Sequence, residues 1–461
     1  MSSVPRQIAA LAAQKGARAY YVGGCVRDRL LGRGSSDVDI EVHGMAADAL
    51  FDMLRQVGEP LSYGESFGIY SLKGTGIDIA LPRTEKATGR GHRDFEVSVD
   101  PYIGLKAAAR RRDFTVNAMM EDILTGQIID PFGGQKDLQN GILRHVDEET
   151  FPEDPLRVLR GAQFASRFGF TTDPKTMELY RHISLKDLSR ERVEEELKKA
   201  LLKGSRPSVF FEVLRDCGQL EYWFSPLHLL PQLQQDPVYH PEGDVWIHTM
   251  QVLDRGAAFR GQVSDPYAFL LLCLTHDLGK LTTTAVGKDG RIHAYGHEAE
   301  GLSLIEEFLR RFTADKAVID YVLNMVPLHM KPNLAAWNRS ALRTTNRLFD
   351  EAAAPKDLIY FAMADKPVMS FDTPFEGDSA FLFQRYEDYL QVMERPYVAG
   401  RDLIEAGLSP GPEFKAYLEY AHKLRLAGID KESALKQTLA MAGIKTKKEK
   451  KKHGRSADRK Q

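Results

Sequence analysis

Two aspartates separated by one residue follow a diglycine in the first forty residues of this chain. Gly23 and Gly24 close one strand-like run, and Asp37 and Asp39 follow at the next. Side chains two residues apart on a β-strand point to the same face, so both carboxylates reach one cavity. Hard cations such as Mg²⁺ prefer these oxygen ligands and often share them with substrate phosphates, which the glycine backbone can approach closely. This stretch predicts metal-assisted nucleotidyl transfer.

Two further strings carry arginines at informative positions. Arg110 to Arg112 open RRRDFTVNAM, where an apolar helix is expected to begin. Guanidinium groups there can hold triphosphate oxygens with paired hydrogen bonds. In EDPLRVLR, Asp154, Arg157 and Arg160 recur every three residues and share one helix face. The alternative for both strings is a solvated surface, with ion pairs contributing about 0.5 kcal/mol each.

The order of these strings resembles the nucleotidyltransferase head of the tRNA CCA-adding and bacterial poly(A) polymerase family, a branch of the DNA polymerase beta superfamily. The strings that carry the resemblance are GGCVRD, LLG, DVDI, RRDFTVNA and EDPLRVLR. It implies that Asp37 and Asp39 are catalytic and hold Mg²⁺. It also implies that Gly24, Arg27 and Arg112 cradle the triphosphate, while Asp113 and Asn117 act nearer the sugar and the local fold.

The same resemblance makes the EDPLRVLR helix the nucleotide-selecting element. Asp154 would accept a hydrogen bond from an exocyclic amine and Arg157 would donate to the acceptor beside it, with Arg160 in support. Cytosine and adenine both offer that pair of groups, whereas uracil and guanine do not, so selection needs no nucleic-acid template. Many relatives repeat an arginine where this chain has Gln163, and the effect of that change on base choice stays open.

The segment between the two aspartates and the arginine string contains two further features. Asp78 lies on a strand-like alternation, where a third metal-binding carboxylate and an ordinary edge-strand aspartate are equally good interpretations. Residues 84–95 are polar, contain glycine and lack a hydrophobic period, which predicts a mobile loop. In the family this loop lets the site change from C to A selection, which argues against an enzyme that adds only C.

A second set of residues with metal-binding chemistry lies in the middle of the chain. Histidines and aspartates follow one another in the order H…HD…H…H…D, and such nitrogen and oxygen ligands suit transition metals. The series resembles the HD phosphohydrolase superfamily, an all-helical metal fold. The resemblance implies a metal core of His248, His276, Asp277 and Asp365, with His297 and His329 completing a second metal or phosphate site. The metal is divalent, with nickel, manganese, magnesium and iron as alternatives; it would lower the pKa of bound water toward ~7 for attack on phosphorus.

Composition places the chain among ordinary soluble globular proteins. It has 461 residues, of which 43% are hydrophobic and 27% charged, so three or four domains are expected. No apolar run reaches the ~18 residues of a membrane span. Three cysteines without a pairing pattern favour a reducing cytosol and thus a cytoplasmic protein. The net charge is −2, yet residues 445–461 hold nine Lys/Arg against two Asp/Glu; this tail either attracts RNA phosphates or aids solubility.

We expect an α+β multidomain protein with five regions. They are a small mixed-sheet nucleotidyltransferase head (1–145), an all-α neck for base and RNA binding (146–225), an all-α HD domain (226–370), a helical tRNA-binding region (371–444) and a disordered basic tail (445–461). In the fourth region, GRDLIEAGLSPGPEFKAYLEYAHKLRLAGI predicts two helices around a P-G-P turn.

The sequence therefore predicts a CCA-adding enzyme that uses CTP and ATP on tRNA 3′ ends and also carries a phosphohydrolase, since some bacterial CCA-adding enzymes have an HD domain. No membrane and no obligate protein partner are inferred. Within the family, an A-adding or CC-adding half-enzyme and a poly(A) polymerase remain alternatives. A phosphohydrolase with a relic head and a plain RNA-binding module are the alternatives from other classes.

Overall fold

The computed structural model describes residues 3–34, 38–62, 68–87, 95–366 and 375–443. The chain forms two compact units. The N-terminal unit extends to residue 228 and includes residues 311–313, and the C-terminal unit holds the remainder. The first unit combines a mixed sheet with helices and the second is almost entirely helical, which confirms the predicted α+β class. The finer domain boundaries inside each unit stay predictions.

Strands are concentrated in the N-terminal unit. They are β1 Arg18–Val22, β2 Val38–His43, β3 Pro60–Ser62, β4 Ile69–Leu72, β5 Ile77–Ala80, β6 Arg83–Ala87, β7 Phe95–Val99, β8 Met120–Asp122, β9 Ile128–Ile129, β10 Ile142–Leu143, β11 Thr171–Thr172, β12 Ala285–Val286 and β13 Ile292–His293. Seven of them form one sheet in the order β3-β4-β5-β2-β1-β8-β9. Only β2 and β5 pair in parallel within this sheet, so it is mixed, as predicted.

The helices of the first unit pack on this sheet and then on one another. They are α1 Ser3–Gln14, α2 Gly24–Leu30, α3 Ala47–Leu54, α4 Leu105–Arg110, α5 Gly134–Asn140, α6 Leu156–Phe168, α7 Pro174–His182, α8 Arg190–Lys203, α9 Ser208–Asp216, α10 Leu220–Trp223 and α11 Ser225–His228. Helix α6 packs against α8 and α9, and its ten buried residues explain why its sequence repeats apolar residues at helical spacing.

The helices from residue 229 onward belong to the second unit, except that the last two residues of α16 are among those assigned to the first. They are α12 Val245–Ala257, α13 Pro266–Thr275, α14 Lys280–Thr283, α15 His297–Glu300, α16 Leu302–Phe312, α17 Lys316–Met325, α18 Lys331–Trp337, α19 Leu342–Glu351, α20 Pro355–Asp365, α21 Phe375–Glu394, α22 Gly400–Glu405, α23 Phe414–Leu426 and α24 Lys431–Met441. Helix α13 is apolar on all sides and almost wholly buried, because α12, α17 and α20 pack around it. Helices α22 and α23 confirm the two that were predicted around the P-G-P turn.

Three expectations about local structure need correction. Part of the predicted mobile loop is an antiparallel ribbon, in which β6 pairs with β7 from Arg83 opposite Val99 to Ala87 opposite Phe95. Residues 88–94 lie outside the described residues. The apolar helix expected after the arginine string is a 3-10 turn, Thr115–Asn117, which leads into strand β8. The helical middle region also contains the short ribbon of β12 and β13. In the part of the chain that the structure describes, no helix meets the length and apolarity of a membrane span.

Candidate active site and metal centre

A glycine lies between a carboxylate and a guanidinium in the N-terminal unit. Gly23 follows β1 with φ +71° and ψ −134°, a backbone conformation that residues other than glycine rarely adopt. A Cβ atom at this position would lie 3.0 Å from Nη1 of Arg112 and 3.9 Å from Oδ2 of Asp39. Glycine therefore keeps open the space that Asp39 and Arg112 border. Gly24, the next residue, begins α2.

The carboxylate side of this space is formed by two neighbouring strands. Asp39 on β2 and Asp78 on β5 are partners in the parallel register, and both are exposed. Registered residues of adjacent strands share a face, so the two carboxylates lie on the same side of the sheet. Asp37 lies outside the described residues. The structure thus brings Asp78 beside Asp39, while its role as a third metal ligand stays a prediction.

A buried glutamate that was not identified from the sequence lies farther along β2. Glu41 is 1% exposed, and its Oε2 lies 3.5 Å from Nη2 of Arg112 and 3.6 Å from Nη2 of Arg111. Its Oε1 lies 2.8 Å from Nε2 of His43. Burial alone would raise the pKa of Glu41, but the hydrogen bond with His43 and the nearby arginine charges lower it to about 2. The two-residue period of DVDIE was the signal that could have identified it.

Arg112 retains capacity to bind an anion. Its Nε has no hydrogen-bond partner among the described residues, and its side chain is 18% exposed. Glu41 fixes only one edge of the guanidinium, and the other edge faces Gly23. A buried donor without a partner favours an anionic ligand such as a phosphate.

Arg27 lies inside the fold rather than on its surface. It is 4% exposed, and its Nε donates to Oδ1 of Asp28 at 2.8 Å while Nη1 donates to Oδ1 of Asn117 at 2.6 Å. The guanidinium also stacks over Phe168, 4.5 Å from the ring centroid. A contact between Arg27 and a triphosphate stays a prediction, and it would require these partners to be exchanged.

A second buried network joins the 3-10 turn to α6. Oδ2 of Asp113 accepts from Arg160, with its Nη2 at 2.7 Å, and Oδ1 accepts from the amide of Asn117 at 3.0 Å. Burial alone would raise the pKa of Asp113, but the charge of Arg160 and these hydrogen bonds lower it. This placement accords with the expectation that Asp113 and Asn117 support the local fold.

The predicted base-selecting pair has other protein partners in the structure. Asp154 accepts from Nη2 of Arg192 at 2.9 and 3.0 Å, and Arg157 donates to the backbone carbonyls of Thr150 and Arg111 at 2.8 and 2.6 Å. Arg192 was not identified from the sequence, because the string RERVEEE that contains it is an ordinary amphipathic charge pattern. Base recognition by Asp154 and Arg157 stays a prediction and implies that at least Arg192 shares or releases its carboxylate.

Gln163 occupies a position where the family resemblance implied an arginine. Its side chain is 1% exposed, and its Nε2 has no hydrogen-bond partner among the described residues. Because it is buried in α6, Gln163 does not present a donor at the surface of the site. No feature of the described structure assigns it a part in base choice.

The six residues of the HD series converge in the C-terminal unit. They come from α12, from the residues after α13, from the start of α15, from the residue after the 3-10 turn Val326–Leu328 and from the end of α20. Nε2 of His248 lies 3.3 Å from Nε2 of His276, and Oδ1 of Asp365 lies 3.1 and 3.5 Å from these two nitrogens. The structure thus brings the predicted core together in space.

Asp277 connects this core to the other two histidines. Its Oδ2 lies 3.3 Å from Nε2 of His276, whereas its Oδ1 lies 3.2 Å from Nε2 of His297 and 4.0 Å from Nε2 of His329. The Nε2 atoms of His297 and His329 are 3.3 Å apart. One carboxylate therefore faces two groups of nitrogens, an arrangement that fits two adjacent metal ions.

The charges and the donor set of this cluster fit a divalent cation. Burial alone would lower the pKa of His248, but hydrogen bonds with Asp365 and Glu242 raise it to about 9. Burial and the nearby His276 lower the pKa of His329 to about 4. Carboxylates that hold a proton on one histidine can instead hold a metal cation, since metal binding releases such protons. Imidazole and carboxylate ligands together suit transition metals.

A cavity of about 670 Å³ opens onto this cluster. Its wall includes His297 and Asp365 of the cluster, together with the cationic Lys280 and Lys366. Nζ of Lys280 lies 2.8 Å from Oδ2 of Asp277. A volume of this size accommodates a nucleotide-sized phosphoester.

Two further residues beside the cluster were missed in the sequence. Glu242 lies 2.7 Å from Nδ1 of His248, and His240 lies 3.0 Å from the same carboxylate oxygen. Both precede α12 in the string HPEGDVWIH, six and eight residues before His248. The sequence analysis assigned no role to that segment, although an H-x-E pair close to a candidate ligand was the available signal.

Two family models match the N-terminal part of the chain. A model of the poly A polymerase head domain matches residues 19–144. A second model, of the probable RNA and SrmB- binding site of polymerase A, matches residues 169–233. Together they cover nearly all of the sheet that carries Asp39 and the helices α7 to α11.

Relatives and solved structures match over nearly the whole chain. A multifunctional CCA protein of Pseudomonas fluorescens is 35% identical over 427 residues, covering 90% of this chain and 99% of the relative. The structure of the Thermotoga maritima CCA-adding enzyme complexed with tRNA superposes with a TM-score of 0.63 at 21% identity, over 95% of both chains. Structures of a CCA-adding enzyme with ATP and with CTP each give 0.65 at 20% and 21% identity, again over 95% of both chains. These superpositions confirm the fold.

Proposed function

The chain belongs to the family of multifunctional CCA proteins, and from that premise we propose that it is a tRNA nucleotidyltransferase that adds and repairs the 3′-terminal CCA without a nucleic-acid template. Its proposed substrates are the 3′ end of tRNA, CTP and ATP. The match to a multifunctional CCA protein covers 99% of that relative. In addition, residues 19–144 match the poly A polymerase head domain. A second, hydrolytic activity is proposed for the C-terminal unit.

The observation that carries the transferase proposal is the space bordered by Asp39, Gly23 and Arg112. A carboxylate and a guanidinium that retains donors lie within 4 Å of the position a Cβ would take on Gly23. Carboxylates hold divalent cations and guanidinium groups hold phosphates, and nucleoside triphosphate chemistry needs both beside each other. A site with only one of these groups would fit a binding module better than an enzyme.

The roles of the described residues are proposed from that geometry, and the role of Asp37 from its place in the string DVDI. Mg²⁺, held by Asp39 and Asp37, would lower the pKa of the RNA 3′-hydroxyl and neutralise the departing pyrophosphate. Arg112 orients the triphosphate, and Glu41 keeps the Arg112 guanidinium turned toward Gly23. Arg27 holds the 3-10 turn Thr115–Asn117 in place through its hydrogen bond with Asn117.

Base selection is proposed for the entrance of α6. Asp154 accepts from the exocyclic amine of cytosine or adenine, Arg157 donates to the adjacent ring acceptor, and Arg160 holds α6 against Asp113. The ion pair between Arg192 and Asp154 supports this proposal, because both side chains are accessible, at 27% and 30%. Asp154 is thus open to exchange its partner for a base.

Incorporation assays test the transferase proposal. Labelled CTP and ATP are supplied with tRNA transcripts that end before CCA, after C and after CC, and products are resolved at single-nucleotide length. Stepwise addition of C, C and A that then stops is expected, with loss of activity in Asp37→Ala and Asp39→Ala and retention in the exposed control Asp52→Ala. Addition of A alone to the CC-ending transcript would identify an A-adding enzyme, and unlimited A addition a poly(A) polymerase.

The second proposed activity is metal-dependent hydrolysis of phosphoesters on RNA ends or nucleotides. The convergence of His248, His276, Asp277 and Asp365, whose ring nitrogens and carboxylate oxygens lie 3.1–3.5 Å apart, supports it. A divalent metal held there would activate water for attack on phosphorus. His297 and His329 would complete the second metal position through Asp277, and Lys280 would orient Asp277.

Hydrolysis of a nucleoside 2′,3′-cyclic phosphate and of a terminal phosphate on RNA tests this activity. Both are expected to vanish in a His276→Ala, Asp277→Ala protein, while incorporation of CTP and ATP continues. His422→Ala changes a half-buried histidine of the same unit, which pairs with Asp350, and serves as the control. Hydrolysis that persists in the double variant would remove the assignment, and loss of incorporation as well would favour a single shared site.

A further inference from the structure

A carboxylate outside the HD series contacts the outer nitrogen of one of its histidines. Oε1 of Glu242 lies 2.7 Å from Nδ1 of His248 and 3.0 Å from Nδ1 of His240. The Glu242 side chain is only 9% exposed. It precedes by two residues Asp244, which caps α12 by accepting from the backbone N–H of Ile247. The contact is therefore fixed at the start of the helix that carries His248.

The two ring nitrogens of His248 face different partners. Nε2 faces His276 and Asp365 of the inner cluster, at 3.3 and 3.1 Å, whereas Nδ1 faces Glu242. A neutral imidazole has one N–H donor and one lone pair. A carboxylate at Nδ1 accepts the N–H there, which leaves the lone pair at Nε2 and directs it into the inner cluster.

A separate ion at Glu242 would compete with this arrangement. His240, Glu242 and His248 offer ligand atoms close enough to hold a metal by themselves. Such an ion would take the lone pair of His248 at Nδ1, and the same neutral ring has no second lone pair for the inner cluster. Because Nε2 of His248 faces two of the predicted inner ligands within 3.3 Å, the geometry favours the inner cluster.

We propose that Glu242 is a positioning residue of the metal centre, which fixes His248 and His240 in the tautomers whose Nε2 atoms carry the lone pairs. His240 lines the same cavity as Asp365 and His297, so this tautomer gives the cavity wall one more acceptor nitrogen. The inference rests on the proposed hydrolytic site, which supplies the metal. Carboxylates that orient a ligating histidine typically change metal affinity 10–100-fold.

Nickel binding to the full-length, metal-free protein tests this role without depending on turnover. Ni²⁺ is the probe because it prefers imidazole ligands, so it should bind the histidine cluster more tightly than the carboxylate site of the N-terminal unit. Isothermal titration with Glu242→Ala is expected to show Ni²⁺ affinity reduced about 10–100-fold with the number of bound ions unchanged. Glu242→Gln, which keeps the volume and one acceptor oxygen, is expected to give a smaller loss.

Controls separate positioning from folding. The thermal midpoint of each Glu242 variant, measured without metal, is expected to match that of the unmodified chain. Its incorporation of CTP and ATP, measured with Mg²⁺, is expected to match as well. Glu306→Gln removes an acid of the same unit that pairs with the exposed Arg310, and is expected to leave Ni²⁺ affinity unchanged. If Glu242→Ala lowers the melting midpoint, the Ni²⁺ affinity of Glu242→Gln is used instead. A reduced affinity at an unchanged midpoint supports positioning, and an unchanged affinity contradicts it.

Three results would overturn the inference. Unchanged Ni²⁺ affinity in Glu242→Ala would show that the carboxylate does not orient a ligand. Loss of one bound ion with unchanged affinity of the rest would show that His240, Glu242 and His248 hold an ion of their own. Absence of Ni²⁺ binding by the unmodified chain would remove the proposed hydrolytic site itself, which distinguishes failure of that proposal from failure of this one.

Discussion

At the scale of single residues, Gly23 gives the sharpest test of the nucleotidyltransferase site. In Gly23→Ala, the new Cβ would lie 3.0 Å from Arg112 Nη1 at a backbone φ of +71°. Both the strain and the displaced guanidinium disturb the triphosphate position, and loss of one such charge-stabilising contact typically lowers kcat about 10²-fold. We expect a loss of that size in CTP and ATP incorporation, with hydrolysis unaffected.

A matched glycine separates the contact from the backbone strain. Gly16 has φ +79°, and a Cβ atom added there would meet no other side chain or backbone atom of the described residues within 4 Å. Gly16→Ala therefore also places an alanine at a positive φ but without contact to the site, and incorporation should stay near that of the unmodified chain. Equal losses in both variants would attribute the effect to general destabilisation.

Glu41 makes the stability of the sheet depend on pH. Its folded-state pKa of about 2 lies below the ordinary value of 4.5, so folding favours the ionised carboxylate. This contribution is present above pH 4.5 and is lost as the pH falls toward 2; it amounts to about 3 kcal/mol at most. Hydrogen exchange of the β2 amides should accelerate over that range.

Replacement of the buried acid should remove this pH dependence. In Glu41→Gln, exchange of β2 is expected to be faster at neutral pH and to vary less between pH 5 and 3, because no carboxylate titrates there. Glu59→Gln, an exposed acid paired with Lys73, should keep the profile of the unmodified chain. An unchanged profile in Glu41→Gln would contradict the assignment of the low pKa to this residue.

It could be predicted from the sequence that Asp39 and Arg112 border one site and that the six residues of the HD series converge, because spacing within short strings reflects chemistry. The roles of these residues stay predictions. Glu41 was missed although it continues the two-residue period of DVDIE, because its contacts with Arg111 and Arg112, which are distant in sequence, form only in the folded sheet. Arg27 shows the converse. Its string was recognised, but its burial against Asn117 depends on tertiary packing that no local pattern contains.

At the scale of elements, the ion pair between Asp113 and Arg160 fastens α6 to the 3-10 turn. Asp113 is nearly buried, whereas the Arg160 side chain is 34% exposed. Removing one partner leaves a buried charge without compensation, which we expect to cost about 2–3 kcal/mol, less than for a fully buried pair. Asp113→Asn and Arg160→Met should each accelerate hydrogen exchange in α6.

A double-mutant cycle checks that the two effects have one origin. The combined variant should be less destabilised than the sum of the single variants, because neither charge is then left alone. The exposed pair of Arg181 and Glu178, three residues apart on α7, should show a coupling of ~0.5 kcal/mol or less. Additive effects at Asp113 and Arg160 would contradict the ion-pair interpretation.

The elements themselves were predicted unevenly. Helix α6 followed from apolar residues that repeat at helical spacing and indicate one buried face, and the P-G-P turn separated the predicted α22 from α23. The 3-10 turn at Thr115–Asn117 did not, because three residues are too few to establish a period. The ribbon of β6 and β7 was mistaken for loop, since its pairing joins residues on both sides of a glycine-rich segment.

At the scale of the whole molecule, charge is distributed unevenly along the chain. The net charge is −2, whereas residues 445–461 hold nine Lys/Arg and two Asp/Glu. These residues lie outside those described, so their contribution is argued from charge alone. A basic segment attracts RNA phosphates without sequence preference and releases counterions when it binds, which makes affinity fall steeply with salt.

Truncation after residue 443 should therefore change how tRNA affinity depends on salt. We expect weaker binding at low salt and a shallower slope of log K against log salt, by about 0.7–0.9 for each phosphate contact that is lost. The two proteins should converge in affinity at high salt. Fluorescence anisotropy with labelled tRNA, measured from about 50 to 200 mM salt, gives the slope directly. A variant with the tail lysines replaced by glutamine keeps the length and isolates the charge. Equal slopes for all three proteins, with more aggregation after truncation, would identify the segment as a solubility tail.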